Sequence, residues 1–455
     1  MQTQPHPLQA EATLRALADH VLQASQAEAT EVVLVGQTSH LTRFANNQVH
    51  QNVAETDLRV RIRVAFGQRV GEASTNDTAP EALVAALRDA EALARLQPDD
   101  PDFPGFTGPQ AFTPIPEALD AGTLACEAAD RASAVAHVCR LARAQDMVAA
   151  GAFQTGLRQR AIATSAGLWA HHAGSFAHLD TVVMSDDSSG WAADTHADAR
   201  RIDGEALGAE AVEKAARSRR PQDLEPGEYP VLLEPYAVVE LLSYMGRAFG
   251  AEDVREGRSF LAGHVGAQLV HPAVTVVDDP RDPAGLASPF DHEGVPATRR
   301  VLFERGVAGA PVYDRRAAAR EGLCSTGHHF GGGAFWKAAP LAAHLAMGAG
   351  EASREALLGG MERGVYVTRF HYVNQLDARR TLLTGMTRDG TFWVENGRIV
   401  RPLRNMRFTH AWLDVLRDIE AIGADQKLNL NWYGGASRAP ALRVGRLRFT
   451  GRTTF

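Results

Sequence analysis

The chain has 455 residues, 45% of them hydrophobic and 22% charged, a balance that supports two or three globular domains of about 150 residues each and excludes a disordered polymer. Its 47 Lys and Arg against 54 Asp and Glu give a formal charge of -7, so nucleic-acid binding would need a basic face set against the average. Only Cys126, Cys139 and Cys324 are present, without Cys-x-x-Cys spacing, which excludes a disulfide framework and a zinc knuckle.

Residues 1–9 are polar and lack an apolar leader, and no later run of about 18 apolar residues appears. A chain with no membrane association, in the cytoplasm, is expected. Leu14, Leu17, Ala18, Val21 and Leu22 follow helical spacing, and residues 31–35 read as a strand. Residues 41–52 and 56–66 alternate, with Gly67-Gln68 turning into 69–74. Leu58, Val60, Ile62 and Val64 point to a core, leaving Arg59, Arg61 and Arg63 as the solvated side of the strand. Thr78-Ala-Pro-Glu81 has capping-box form and predicts a helix to about Leu96.

Residues 98–116 hold six prolines and form an extended connector. A helix over 118–143 and short strands at 147–153, 158–164, 168–172 and 181–184 follow. Helix, strands, helix, strands thus occurs twice, which predicts an α+β domain with duplicated helix-strand units over 1–220. After a helix at 205–217, the polar stretch 219–227 marks the boundary. Residues 221–455 contain one clear helix, 238–248, and many short strands with Gly and Asp turns, the pattern of a mainly antiparallel, barrel-like domain.

Asp389-Gly390 and Asn396-Gly397 bracket a five-residue run and predict a β-meander, because both pairs suit the positive φ of type I′ turns. Upstream lies the polar string from His371 to Thr384, denser than a plain hairpin needs.

Ser325-Thr-Gly-His-His-Phe-Gly-Gly-Gly333, the string 371–384, Met386-Thr-Arg-Asp-Gly390 and Phe392-Trp-Val-Glu-Asn-Gly397 together resemble the carboxy-terminal half of the TldD/PmbA family, which is associated with peptide proteolysis. Thr42-Arg-Phe-Ala-Asn-Asn-Gln-Val-His50, Glu256-Gly-Arg-Ser-Phe260 and Phe290-Asp-His-Glu-Gly-Val-Pro296 extend the resemblance over nearly the whole chain. In the catalytic branch a helix carries His-Glu-x-x-x-His and a late cysteine completes a metal site. The corresponding stretch here, Tyr236 to Gly246, has no histidine, and no cysteine follows Cys324. None of the 17 histidines has another three or four residues away, so no helix offers two imidazoles on one face. Glu240 and Tyr244 are read as ordinary helix positions.

The resemblance therefore implies a TldE/PmbA-like subunit, with no metal of its own, whose TldD-like paralogue holds a zinc-like divalent metal and whose substrates are unfolded or small peptides. Whether it forms a homodimer alone is left open. His292-Glu293 sits in a turn, with Asp291 bonding local amides and Gly294 at positive φ. For peptide contact the candidates are His328, Gly331 and Gly332 in the glycine loop that continues to Gly333, with Trp336 beside it, together with His371, Asn374, Arg379 and Arg380. Asp377 is a candidate orienter of His371. Trp393 is read as core. A rival is a self-contained hydrolase using Cys324, Ser325 or an atypical metal site of His328, His329 and His371, and another is a simple peptide-binding module. Cys324 is read as a small buried residue.

Overall fold

The computed structural model describes residues 9–332, 337–431 and 433–453. The fold is mixed α+β, as the patterning predicts. Its first half is a six-stranded antiparallel sheet of β1 (Ala29–Ala45), β2 (Gln48–Phe66), β3 (Arg69–Thr75), β4 (Val148–Thr164), β5 (Trp169–Met184) and β6 (Ser189–His196), in the order β3-β2-β1-β4-β5-β6. Helices α1 (Glu11–Ala24) and α2 (Pro80–Leu96) cover one end, burying Leu14, Val21, Leu83 and Leu87 on Leu34, Val60 and Ile62. After α3 (Ala121–Leu124), helices α4 (Ala128–Arg143) and α5 (Gly204–Arg217) cover the other end.

Helix, three strands, helix is therefore built twice, and the two units meet along β1 and β4. The repeat reaches into the packing. In the third strand of each unit a glycine lies under the closing helix: a Cβ on Gly71 would sit 2.2 Å from the Ala90 carbonyl, and one on Gly190 would sit 2.1 Å from that of Ala211. Both helices approach as closely as they do because that atom is missing.

Four local readings need correction. The Thr78 capping box does not form: Ala79 occupies the cap without a side-chain bond, and Asp77 Oδ1 accepts the Ala79 N–H instead. Pro80 at the first turn offers no N–H to cap. The capping box that does form joins Glu127 and Asp130 at the start of α4, which divides the helix predicted over 118–143. The four short segments after residue 147 fuse into two strands, β4 and β5, because pairing on both sides outweighs the glycines within them. The arginine face of β2 is also less solvated than its alternation implies. Arg63 pairs with buried Glu31 at 3.1 Å and lies over the Phe106 ring.

The second half begins with β7 (Gly227–Leu233) and α6 (Pro235–Ala248). Short strands β8 (Val276–Asp278), β9 (Arg300–Glu304), β10 (Val307–Ala308), β11 (His329–Phe330), β12 (Ala339–Pro340) and β13 (Leu345–Met347) follow, with four short helices, among the described residues, beyond the one predicted. Long strands β14 (Arg363–Asp377), β15 (Leu382–Glu395), β16 (Arg398–Pro402), β17 (Met406–Ala411), β18 (Ile419–Leu430) and β19 (Ala436–Arg452) complete it. The run β7-β14-β15-β17-β19 closes on itself because β19 also pairs with β7, giving a five-stranded barrel without edges. Helix α6 buries Val238, Leu242 and Met245 in this half's core, to which Trp393 belongs. Of the two predicted turns, Asn396-Gly397 joins β15 to β16 with φ of 49° and 73°. Asp389-Gly390 is instead an interruption inside β15, opposite a register shift in β14. Asp389 points inward there, pairs with Arg369 at 2.9 Å and accepts from Ser189 Oγ of β6. Burial of that carboxylate, not chain reversal, explains the dipeptide.

The halves are joined by a second, larger ionic knot. Lys214 Nζ of α5 lies 2.7 Å from both Glu210 and Glu234, the latter just before α6. Lys427 of β18 reaches Glu210 at 2.6 Å and the Tyr236 hydroxyl at 2.8 Å. Tyr366 and Arg354 complete the shell of Glu234. Burial opposes ionisation of Glu210, but Lys214 and Lys427 outweigh it and hold its carboxyl at about 2. Lys214→Met is expected to cost about 3–5 kcal/mol, read as a lowered urea midpoint, because Glu234 would be left charged and buried. The stabilisation from Glu210 is fully present above its ordinary value of 4.5 and is lost as pH falls toward 2. Glu210→Gln should therefore flatten that portion of the acid-unfolding curve.

Candidate functional site

Strand alternation sets the face of the first sheet that meets the second half. On β4, Ala161 and Ala163 enter the core under α1 and α2, whereas Ile162 packs against Phe290 from the second half. Arg160 and Arg158 share the Ile162 face. On β5 the adjacent histidines part: His171 turns toward Glu11 of α1, and His172 turns toward the second half, where its Nε2 meets the Ala287 carbonyl at 3.0 Å. Between this face and the loops around Asp278, Phe290, His328 and Tyr433 lies a cavity of about 620 Å³, a size that suits a short peptide or a small molecule.

Arg160 Nη2 donates to His292 Nε2 at 2.7 Å, so that ring carries its proton on Nδ1. Burial, reinforced by Arg160, drives the His292 pKa well below its usual value. Burial lowers His172 to about 4 against the Ala287 carbonyl, and also lowers His344 despite Asp278. Arg160 is itself brought down by burial, to about 10, with Asp291 opposing. At neutral pH these imidazoles carry no charge and the arginine does. Asp278 is fully buried in the cavity wall, where Oδ2 meets His328 Nε2 at 2.9 Å and Oδ1 accepts the His344 N–H at 2.6 Å. Asp291 accepts the amides of Glu293, Val295 and His329, and Gly294 has a φ of 72°. The turn expected at His292-Glu293 is therefore what the chain forms.

The candidates separate into two groups. His328 and Gly332 line the cavity, and Gly331 adjoins it, since a Cβ there would lie 2.5 Å from His292 Nδ1. His371, Asn374, Arg379 and Arg380 do not line it and sit on the β14–β15 hairpin. Asn374 Nδ2 donates to the Tyr372 carbonyl, and the side chains of Arg379 and Arg380 are exposed. Asp377 accepts the Arg380 N–H and does not orient His371. Trp336 and Gly333 lie outside the described residues. Cys324 is exposed, not buried, which corrects its reading as a packing residue. Ser325 Oγ donates to the Tyr313 carbonyl, and His329 Nδ1 faces Asp314 at 3.3 Å. Arg158, Arg160, His172, His344 and Tyr433 were not singled out from sequence. The alternation of Arg158, Arg160 and Ile162 carried the signal for the first two.

Three domain descriptions of one family match along the chain: PmbA/TldA metallopeptidase domain 1 over 30–94, its central domain over 115–219 and its C-terminal domain over 226–451. The chain is 24% identical over 444 residues to the metalloprotease PmbA of Escherichia coli O157:H7, covering 93% of each. It is 24% identical over 223 residues to the metalloprotease TldD homolog of Buchnera aphidicola subsp. Acyrthosiphon pisum, covering 48% of this chain and 46% of that one. The crystal structure of TldE from Thermococcus kodakarensis shares the fold, with a TM-score of 0.86 at 20% identity, covering 96% of this chain and 100% of that one.

The metal these descriptions imply does not fit the donors present. Among the described residues no group of three or more His, Cys, Asp or Glu is placed to hold an ion. Helix α6 offers Glu240 and Tyr244, and the Tyr244 hydroxyl is spent on the Val373 carbonyl at 2.5 Å. A hydrolytic zinc site needs three protein ligands and an open position. Elemental analysis of the purified chain after exhaustive dialysis is expected to give substoichiometric zinc, manganese and iron.

Proposed function

This chain belongs to the PmbA/TldD metallopeptidase family, and from that premise we propose that it is the TldE/PmbA-like, non-catalytic subunit of a two-chain peptidase. The observation that carries the reading is the chemistry of α6: the stretch that resembles the family's metal-bearing helix presents Glu240 and Tyr244 and no imidazole. A zinc hydrolase makes its hydroxide by lowering the pKa of a bound water, and this chain brings no ligand set for that step. The relatives named TldD and TldE support a TldD-like partner that brings it. This chain then contributes binding surface and part of an enclosure for unfolded or small peptides. Three unpaired cysteines suit a reducing cytoplasm.

The test is reconstitution. The chain alone should cleave no peptide, and chelator-sensitive cleavage should appear on mixing with a paralogue that carries His-Glu-x-x-x-His, vanishing when that motif is mutated. Cleavage by this chain alone at the rate of the mixture would refute the assignment. In the reconstituted complex, Cys324→Ala should keep kcat/KM within about twofold, since loss of a true nucleophile costs several orders of magnitude.

A further inference from the structure

The cavity between the halves is lined by two arginines, Arg158 and Arg160, that the subunit reading does not use, in the same wall as Asp278 and Asp291. Neither Arg158 nor Arg160 has a carboxylate within ion-pairing distance among the described residues. Arg158 spends Nη1 on the Gly434 carbonyl at 2.6 Å and lies over the Phe176 ring. Arg160 gives Nη2 to His292, while its Nε is buried and has no hydrogen-bond partner among the described residues. The partner it does have is an uncharged ring. The nearest fixed anion, Asp291, already accepts three backbone amides.

A buried guanidinium without an ion-paired carboxylate is costly, and its planar edge matches one chemistry above others, a carboxylate held by two parallel N–H bonds. Beside the aspartates and histidines already described, the lining carries an apolar and aromatic set: Phe176, Leu286, Phe290, Phe330, Leu341 and Tyr433. A ligand for this cavity thus combines one carboxylate with an apolar body. We propose that the cavity receives the carboxy terminus of a peptide with an apolar last residue, its carboxylate held by Arg160 with Arg158 alongside. The choice of a peptide rests on the peptidase-subunit reading. Gly331 is a positioning residue here, because any side chain at 331 would press on His292 and displace the ring that fixes Arg160.

Calorimetry on the isolated chain tests this with an acetylated tripeptide ending in phenylalanine, as the free acid and as the carboxy-terminal amide. The free acid should bind at least tenfold more tightly than the amide. Arg160→Met should abolish that difference without lowering the melting temperature, since an unpaired buried cation is replaced by an apolar side chain of similar length. Arg160→Lys should retain part of the preference, and Gly331→Ala should weaken binding of the free acid with Arg160 intact. Equal binding of acid and amide, no measurable binding of either, or an Arg160→Met variant that keeps the preference would overturn the proposal. Phenylbutyrate that binds as tightly as the tripeptide would overturn the peptide assignment. Because this readout needs no partner and no catalysis, a negative result leaves the reconstitution experiment to stand separately, and failed reconstitution leaves the binding result intact.

Discussion

The ammonium of Lys214, enclosed between Glu210 and Glu234, fixes how the two halves of this molecule meet. Glu210 comes from the helix of Lys214 itself and Glu234 from the other half, so the shell of the ammonium is complete only where the halves meet. Lys427 and Tyr236 extend the contact to β18 and the first turn of α6. A pair so enclosed gains little net stability over apolar packing, yet it strongly penalises any arrangement that separates its members. The interface is thereby specified more sharply than an apolar seam would specify it, and the cavity lined by β4 and β5 inherits its dimensions from that constraint. A second buried carboxylate, Asp389, repeats the logic nearby, bound by Arg369 within its own half and by Ser189 from the other.

Burial dictates the protonation of three imidazoles in the cleft, while the carboxylates Glu293, Asp314 and Asp291 raise a fourth, His329, against it. The imidazoles of His172, His292 and His344 are kept neutral because the loss of hydration outweighs the Ala287 carbonyl beside His172 and Asp278 beside His344, and His328 is tied to a buried aspartate in the wall. The Nε2 atoms of His172, His292 and His328 are spent on Ala287, Arg160 and Asp278, which leaves them unavailable for ligation or proton transfer in this arrangement. The permanent charge is left to arginine, which is suited to holding a substrate more than to transforming it. This agrees with the composition of α6, whose inward face is filled by Val238, Leu242 and Met245.

Much of this was legible in the sequence. Alternation exposed the strands of the first sheet, and the repeat of helix, strands and helix was visible although the units share few residues. Glycines bounded the turn at Asn396-Gly397 correctly. Sequence reasoning failed where a local signal was overruled by something distant. Asp389-Gly390 has the composition of a hairpin turn, but the half-buried Arg369 of the paired strand β14 holds its aspartate inside a strand. The polar string 371–384 looked like a site because its residues are close in sequence, whereas the cavity draws on segments from residue 35 to residue 435. Cys324 was assigned by the average habit of free cysteines, which the exposed loop following the short helix Arg315–Glu321 does not follow.

The duplicated first half leaves its two outermost strands in different circumstances. β6 runs beside the barrel and gives Ser189 to it, whereas β3 ends its sheet with no further strand beyond it among the described residues. An unpaired strand invites edge-to-edge aggregation. β3 is short and carries Arg69 and Glu72, which face Asp99 and the β2 arginines. Gene duplication would thus create two equivalent hazards, and the molecule disposes of them differently: one by docking, the other by brevity and charge.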